Sequence, residues 1–200
     1  MSTSLVYLVD DDDAIRDALA WLLNSRGIRC RAWPAAEAFL ADYDSSMRGC
    51  MVLDIRMPGM GGPELFDRLL ERGCRLPAIF LTGHGDVPLA VQAIKKGAFD
   101  FIEKPFNDNE LVDRVLAAIQ LDSDQHRTDA GAELTAVRLS ALSSREREVM
   151  ELILAGKYNK VIADELGIAM RTVEVHRAHI FEKMGVKSAV ELAQVLAASR

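Results

Sequence analysis

Gly49-Cys50-Met51-Val52-Leu53-Asp54-Ile55-Arg56-Met57-Pro58-Gly59 joins a short apolar run to a single carboxylate and then to a forced turn. Met51 to Leu53 reads as a strand buried on both faces, the pattern of a parallel sheet. Pro58 fixes φ and Gly59 permits positive φ, so the chain turns just beyond Asp54. In an open α/β sheet, ligands sit outside the carboxyl ends of the strands, where Asp54 would project. A turn-capping aspartate is the plain alternative. The ends of the other strands decide between the two.

Working outward, strand and helix patterns alternate five times. Leu5 to Val9 is a strand followed by Asp10-Asp11-Asp12-Asp13, and Ile15, Leu19, Leu22 and Leu23 then fall at helical spacing up to Gly27. Ile28 to Trp33 is a second strand, and Pro34 opens a short Ala-rich helix. The Asp54 strand is third, with a helix from about Pro63 to Arg72. Pro77 to Leu81 is a fourth strand ending on Thr82-Gly83-His84-Gly85, and Val87, Val91 and Ile94 give the next helical stripe. Phe99 to Ile102 is a fifth strand ending Glu103-Lys104-Pro105-Phe106, after which Asn107 can cap a last helix carrying Val112, Val115, Leu116 and Ile119. The alternation predicts an α/β, flavodoxin-like (βα)5 domain with a parallel sheet in the order 2-1-3-4-5.

That topology brings Asp10 and Asp11, Asp54, Thr82 and Lys104 to one edge of the sheet. Two like charges about 4 Å apart repel by about 4 kcal/mol at an effective dielectric near 20, so the carboxylates call for a cation. Their hard oxygens suit Mg²⁺. A solvated, dipole-favoured helix start accounts for Asp12 and Asp13. A carboxylate beside Mg²⁺, with Lys104 and Thr82 close by, has the parts of a nucleophile toward phosphorus.

The chain of 200 residues carries a net charge of −6, distributed as −5 over residues 1–120, −2 over 121–138 and +1 over 139–200. A polyanion should therefore meet the last segment rather than the first. No apolar run reaches the ~18 residues of a membrane span. The start carries no basic region of a secretory signal, so a cytoplasmic protein is expected. Cys30, Cys50 and Cys74 are odd in number and lack metal-ligand spacing, and so read as reduced packing residues.

Val9-Asp10-Asp11-Asp12, Leu53-Asp54-Ile55-Arg56-Met57-Pro58-Gly59, Leu81-Thr82-Gly83-His84-Gly85-Asp86 and Phe101-Ile102-Glu103-Lys104-Pro105-Phe106 resemble the receiver domain of two-component response regulators of the FixJ-like group. The resemblance covers residues 4–120. It implies that Asp54 accepts phosphate from a sensor histidine kinase, and that Asp11, Asp54 and the Arg56 backbone carbonyl bind Mg²⁺, with Asp10 assisting through water. It also implies that Thr82 and Lys104 grip the phosphoryl group, that Phe101 is an aromatic switch, and that the Lys104–Pro105 peptide is cis. Receivers of this group dimerise on phosphorylation through the face from Asp86 to Ile102. Such a domain is a phosphoacceptor rather than an enzyme on outside substrates, promoting only its own phosphorylation and slow dephosphorylation.

Residues 121–137 are polar, acidic and interrupted by Gly131, and read as a linker that can extend the preceding helix. Beyond them Ser143-Ser144-Arg145-Glu146 fits a capping box, Gly156 ends that helix, and Asn159 can cap a helix over Lys160 to Leu166. Gly167 makes a tight turn before a longer helix from about Met170 to Met184, an arrangement that suggests helix-turn-helix. On the long helix Val173, Ile180, Phe181 and Met184 share one stripe. Arg171, Glu174, Val175, Ala178 and Glu182 lie opposite, with His176, His179 and Lys183 on one flank. An outward Val175 beside small Ala178 suits a helix lying in a DNA major groove, with Val175 toward a thymine methyl and Glu174 toward cytosine N4.

Leu142 to Glu148, Asn159 to Ala163 and Arg171 to His176 resemble the LuxR-type four-helix DNA-binding domain, over residues 138–200. That resemblance implies promoter DNA as a partner, touched by Asn159, Lys160, Arg171, Thr172, Glu174, Val175, His176, Ala178, His179 and Lys183, and RNA polymerase as a further partner. Ala169-Met170 departs from it, since a serine usually caps the recognition helix there. The rival readings are a flavodoxin-like module for a nucleotide or flavin, a phosphate sink without DNA binding, and a regulator independent of phosphorylation. The first lacks a Gly-rich phosphate loop, the second ignores residues 138–200, and the third ignores the acidic edge.

Overall fold

In the computed structural model, residues 4–83 and 86–198 are described, with the side chain of Val87 excepted. His84 and Gly85 of the fourth motif, and residues 199–200 of the last domain, lie outside the described residues. The chain forms two compact units, residues 1–124 and 125–200.

In the first unit β1 (Leu5–Val9), β2 (Cys30–Trp33), β3 (Gly49–Asp54), β4 (Ala78–Thr82) and β5 (Asp100–Glu103) pair in parallel in the order β2-β1-β3-β4-β5. Alternate residues of each strand divide between two cores. Tyr7, Val9, Met51, Leu53, Ala78 and Phe80 face one side and pack with α2 (Ala36–Asp42), α3 (Gly62–Glu71) and α4 (Val87–Lys95). Val6, Leu8, Cys50, Val52, Ile79 and Leu81 face the other and pack with α1 (Asp13–Ser25) and the start of α5 (Asp108–Ser140). The register places Asp54 beside Leu81 and Thr82 beside Glu103, so the three central and outer strands end almost level. The three cysteines are free thiols, two of them buried.

Two glycines fix how closely the chain can approach itself at either end of β3. At Gly49, with φ of +125°, a Cβ would lie 2.0 Å from the Leu5 carbonyl oxygen. At Gly62 a Cβ would lie 2.2 Å from the Asp54 carbonyl oxygen, so only glycine lets α3 begin directly beneath Asp54. Asn107 caps α5 as its sequence predicts, accepting from the Asn109 amide at 2.8 Å.

Residues 121–137 are helical throughout, because α5 runs without a break to Ser140 and the division into units falls within it. The extension of the preceding helix allowed for in this stretch thus runs its whole length, with Leu121, Gln125, Arg127, Ala130, Ala132, Glu133, Leu134 and Ala136 as the good helix formers among poorer ones such as the three aspartates and Gly131. Thr135 bonds back to the Gly131 carbonyl at 2.8 Å. Asp122 of this helix is buried and accepts from the Gly49 amide at 2.9 Å.

The second unit contains α6 (Ser144–Leu154), α7 (Asn159–Leu166), α8 (Met170–Met184) and α9 (Ala189–Ala198) around Leu142, Val149, Ile153, Ile162, Val173, Ile180, Met184 and Leu192. Both halves of the Ser143/Glu146 capping box form. Gly167 and Gly185 adopt the left-handed conformation and end α7 and α8. Asn159 does not cap α7: the Ile162 amide already bonds to the Tyr158 carbonyl at 3.1 Å, so Asn159 is the first helical residue and Tyr158 the cap. Ala169 precedes α8 without a side-chain cap bond, as its departure from serine predicts. Among the described residues, no helix is long and apolar enough to cross a membrane.

Candidate functional site

Asp10, just after β1, and Asp54, at the end of β3, share the ammonium group of Lys104, the residue after β5. Lys104 Nζ donates to Asp54 Oδ1 at 2.5 Å and to Asp10 Oδ2 at 3.1 Å. Asp54 Oδ2 accepts from the Arg56 amide at 2.7 Å, and Asp10 Oδ1 from the Asp12 amide at 2.9 Å. The Lys104 amide bonds to the Thr82 carbonyl at 2.7 Å, and the Lys104–Pro105 peptide is cis. Thr82 is fully buried, yet its hydroxyl is the one buried side-chain polar atom without a partner among the described residues. A buried hydroxyl without a protein partner is costly and keeps its hydrogen-bonding capacity unused by the fold.

Charge is poised in the same place. Burial raises the Asp54 pKa above the ordinary carboxylate value and Asp10 adds to the effect, while Lys104 and the Arg56 amide oppose it. Burial alone would lower the Lys104 pKa, but its bonds to Asp54 and Asp10 outweigh that and raise it. Asp54 is thus an anion held at a cost, and Lys104 a firmly charged cation. Two carboxylates on one ammonium leave a net negative pocket.

Asp11 is exposed, and among the described residues no three acidic, histidine or cysteine side chains come close enough together to hold a metal. The donor set itself is all oxygen, from Asp10 and Asp54 with Asp11 next in sequence, which fits a hard divalent cation and not a soft one. Asp12 caps α1, accepting from the Ala14 and Ile15 amides, and Asp13 pairs with Arg16, as the helix-start reading predicts. Phe101 is half-buried and leans on the core that contains Phe80. Two contacts were invisible in the motifs: Arg16 Nη1 donates to the Asp10 carbonyl at 2.6 Å, and Arg56 Nε donates to Asp86 Oδ1 at 2.6 Å.

In the second unit Arg171, Thr172, Glu174, Val175, Ala178 and His179 are exposed along α8, and His176 is half-buried. Val175 keeps 47% of its surface in solvent. Lys160 is exposed and Asn159 half-buried at the start of α7, beside a recess of about 500 Å³ that Lys157, Tyr158 and Arg177 also line. Lys183 is exposed and also engaged within the unit. Its amine donates to both Glu146 oxygens, at 3.0 and 2.7 Å, and to the Ala141 carbonyl at 3.2 Å, so it fastens α8 to α6. His179 Nδ1 stands 3.9 Å from the same carboxylate.

Comparison with known proteins matches residues 6–116 to the response regulator receiver domain and residues 140–196 to the bacterial regulatory proteins of the LuxR family. The C4-dicarboxylate transport transcriptional regulatory protein DctR of Rhodobacter capsulatus is 51% identical, over 95% of this chain and 98% of its own. The transcriptional regulatory protein FixJ of Azorhizobium caulinodans is 45% identical, over 95% of this chain and 90% of its own. Among solved structures, the response regulator StyR superposes with a TM-score of 0.88 at 38% identity, covering 98% of this chain and 99% of its own. Full-length FixJ from B. japonicum gives 0.64 at 42% identity, covering 100% and 98%.

Proposed function

Because this chain belongs to the two-component response regulators that pair a receiver with a LuxR-type DNA-binding domain, we propose that Asp54 takes a phosphoryl group from a sensor histidine kinase and thereby promotes pairing of the chain on promoter DNA. The observation that carries this reading is the sharing of Lys104, whose amide bonds to the Thr82 carbonyl, between Asp54 and Asp10, with the Thr82 hydroxyl buried and unpartnered.

An Asp54 carboxylate oxygen attacks phosphorus, the P–O bond forms as the P–N bond to the kinase histidine breaks, and the departing imidazole keeps the electron pair and takes a proton. Lys104 balances the charge gathering on the phosphoryl oxygens, and the Thr82 hydroxyl and Arg56 amide would donate to them. Asp10, Asp11, Asp54 and the Arg56 carbonyl would hold Mg²⁺, which when bound neutralises phosphoryl oxygens. Later attack by water on the same phosphorus restores Asp54, so the chain limits its own phosphorylated lifetime without acting on outside substrates. Leu89, Val91 and Ile94 are each more than a third exposed on α4, an apolar surface consistent with dimerisation through the Asp86–Ile102 face. A promoter as partner implies the cytoplasm as the place of action. RNA polymerase is the further partner such binding would recruit.

Asn159, Lys160, Arg171, Thr172, Glu174, Val175, His176, Ala178 and His179 form the DNA-facing set. Bound sites selected from random DNA with phosphorylated chain test this reading, a selection that returns no preferred sequence counting against it. Val175→Ala should flatten the preference at one base-pair position by about 1 kcal/mol, since it removes an apolar contact to a base edge. Lys160→Ala should weaken binding to all sequences alike and reduce the salt slope by about 1. Binding profiles measured across single-base variants and salt concentrations separate the two.

A further inference from the structure

Arg56 and Asp86 belong to different turns at the same end of the sheet, and their ion pair joins them. The Arg56 side chain is largely exposed while Asp86 is buried, so the pair is organised around Asp86. The rest of Asp86 is equally committed. Its amide donates to the Gly83 carbonyl at 3.1 Å, and its carbonyl accepts from the Leu89 and Ala90 amides at 2.9 and 3.1 Å. A Cβ on Gly83 would touch Asp86 Oδ2 at 3.4 Å. Asp86 therefore connects the residue next to Thr82 with the first turn of α4. Arg56, for its part, reaches Asp54 through its backbone amide and Asp86 through its side chain.

α4 is an element that needs such a fastening. Among its described residues the buried side chains are Ala90 and Ala93, which remove little apolar area from water. At its far end Lys96 Nζ bonds to both oxygens of Asp67 on α3, at 2.8 and 2.6 Å. Ion pairs to the segment following β3 thus hold α4 at both ends, and shape-filling apolar contact holds it weakly between them.

We propose that the Arg56–Asp86 pair is a latch that holds the start of α4 in the unphosphorylated arrangement, and that a phosphoryl group on Asp54 opens it by drawing off the Arg56 guanidinium. This rests on Asp54 being the acceptor. Phosphorylation replaces one negative charge with about two and adds three acceptor oxygens, on a side chain that already accepts from the Arg56 amide. Arg56 then has a stronger anion within reach than Asp86, and a differential affinity of this kind is what shifts an equilibrium between two arrangements. Losing Arg56 leaves the Asp86 carboxylate buried without its cation, so Asp86 and the start of α4 move together, and Gly83 with them.

The test uses the full chain carrying Asp86→Asn, which preserves shape and removes the charge. In the unphosphorylated state, hydrogen exchange over residues 87–96 should quicken about five-fold, the size of one half-exposed ion pair. The acetyl phosphate concentration giving half-maximal dimer should fall by a similar factor of about five. Uptake of label at Asp54 at saturating acetyl phosphate and Mg²⁺ should match that of the unsubstituted chain. A variant that takes up label normally but shows unchanged exchange and an unchanged dose overturns the latch. An unsubstituted chain that takes up no label at Asp54 overturns the acceptor reading instead.

Discussion

Asp54→Asn should take up no label from acetyl phosphate in the presence of Mg²⁺, a fall of at least about 100-fold, and should remain at monomer mass where the unsubstituted chain doubles. An uncharged amide is too weak a nucleophile to form the P–O bond, and no other described carboxylate combines the Lys104 contact with a bond from the Arg56 amide. Stability should move the other way. The pKa of Asp54 is raised in the fold, chiefly by burial, so its ionisation opposes folding at every pH above its ordinary range. Replacing it with a neutral amide relieves that cost, and Lys104 keeps its bond to Asp10. The variant should therefore melt no lower than the parent at neutral pH, and higher if the substituted side chain still accepts from the Arg56 amide. Intact-mass spectrometry, light scattering and thermal denaturation of the same preparation make the comparison. A labelled, dimerising variant would remove Asp54 from its role.

The difference between what the motifs disclosed and what they concealed is a difference of range. Strand and helix positions were legible because Leu5 to Val9, Met51 to Leu53 and Pro77 to Leu81 carry their burial in their own composition, and the turns after them carry Asp, Thr and Gly. The convergence of Asp10, Asp54, Thr82 and Lys104 follows once parallel order 2-1-3-4-5 is accepted, since that order fixes which strand ends are neighbours. Asp10 and Asp11 both follow the last residue of β1, Asp10 buried and Asp11 exposed. The contacts that escaped reading pair residues far apart in the chain: Arg56 with Asp86, Gly49 with Asp122, Glu146 with Lys183. Each involves a common surface residue type whose partner is chosen by tertiary packing alone. Lys183 shows the consequence most directly, since its place on the cationic flank of α8 suggested a phosphate, whereas the fold presents it with a buried carboxylate.

That carboxylate is where the second unit should prove most fragile. Glu146 is only 4% exposed, accepts from the Ser143 amide at 2.7 Å to complete the α6 cap, and receives Lys183 from α8 on both oxygens. Its pKa is pushed down to about 2, first by the Lys183 bond and then by the Ser143 amide. A depressed carboxylate stabilises the fold fully above its ordinary pKa of 4.5 and loses that contribution as pH falls toward about 2. Glu146→Ala removes the cap's return bond and frees the Lys183 ammonium into solvent, at a combined cost of about 1–3 kcal/mol, a sizeable share of what a domain this small possesses. Glu146→Gln retains a side chain able to reach the Ser143 amide and discards only the charge, so it should cost less and should flatten the acid dependence. Hydrogen exchange over residues 143–154 and 173–184, followed from pH 7 to pH 3, reads both effects without interference from the receiver. Protection in the unsubstituted chain should decline below pH 4.5, while that of Glu146→Gln should start lower and stay level. If the two chains lost protection in parallel, the ion pair would not be what holds α8 to α6, and Lys183 would be free to serve DNA as its position on the helix first suggested.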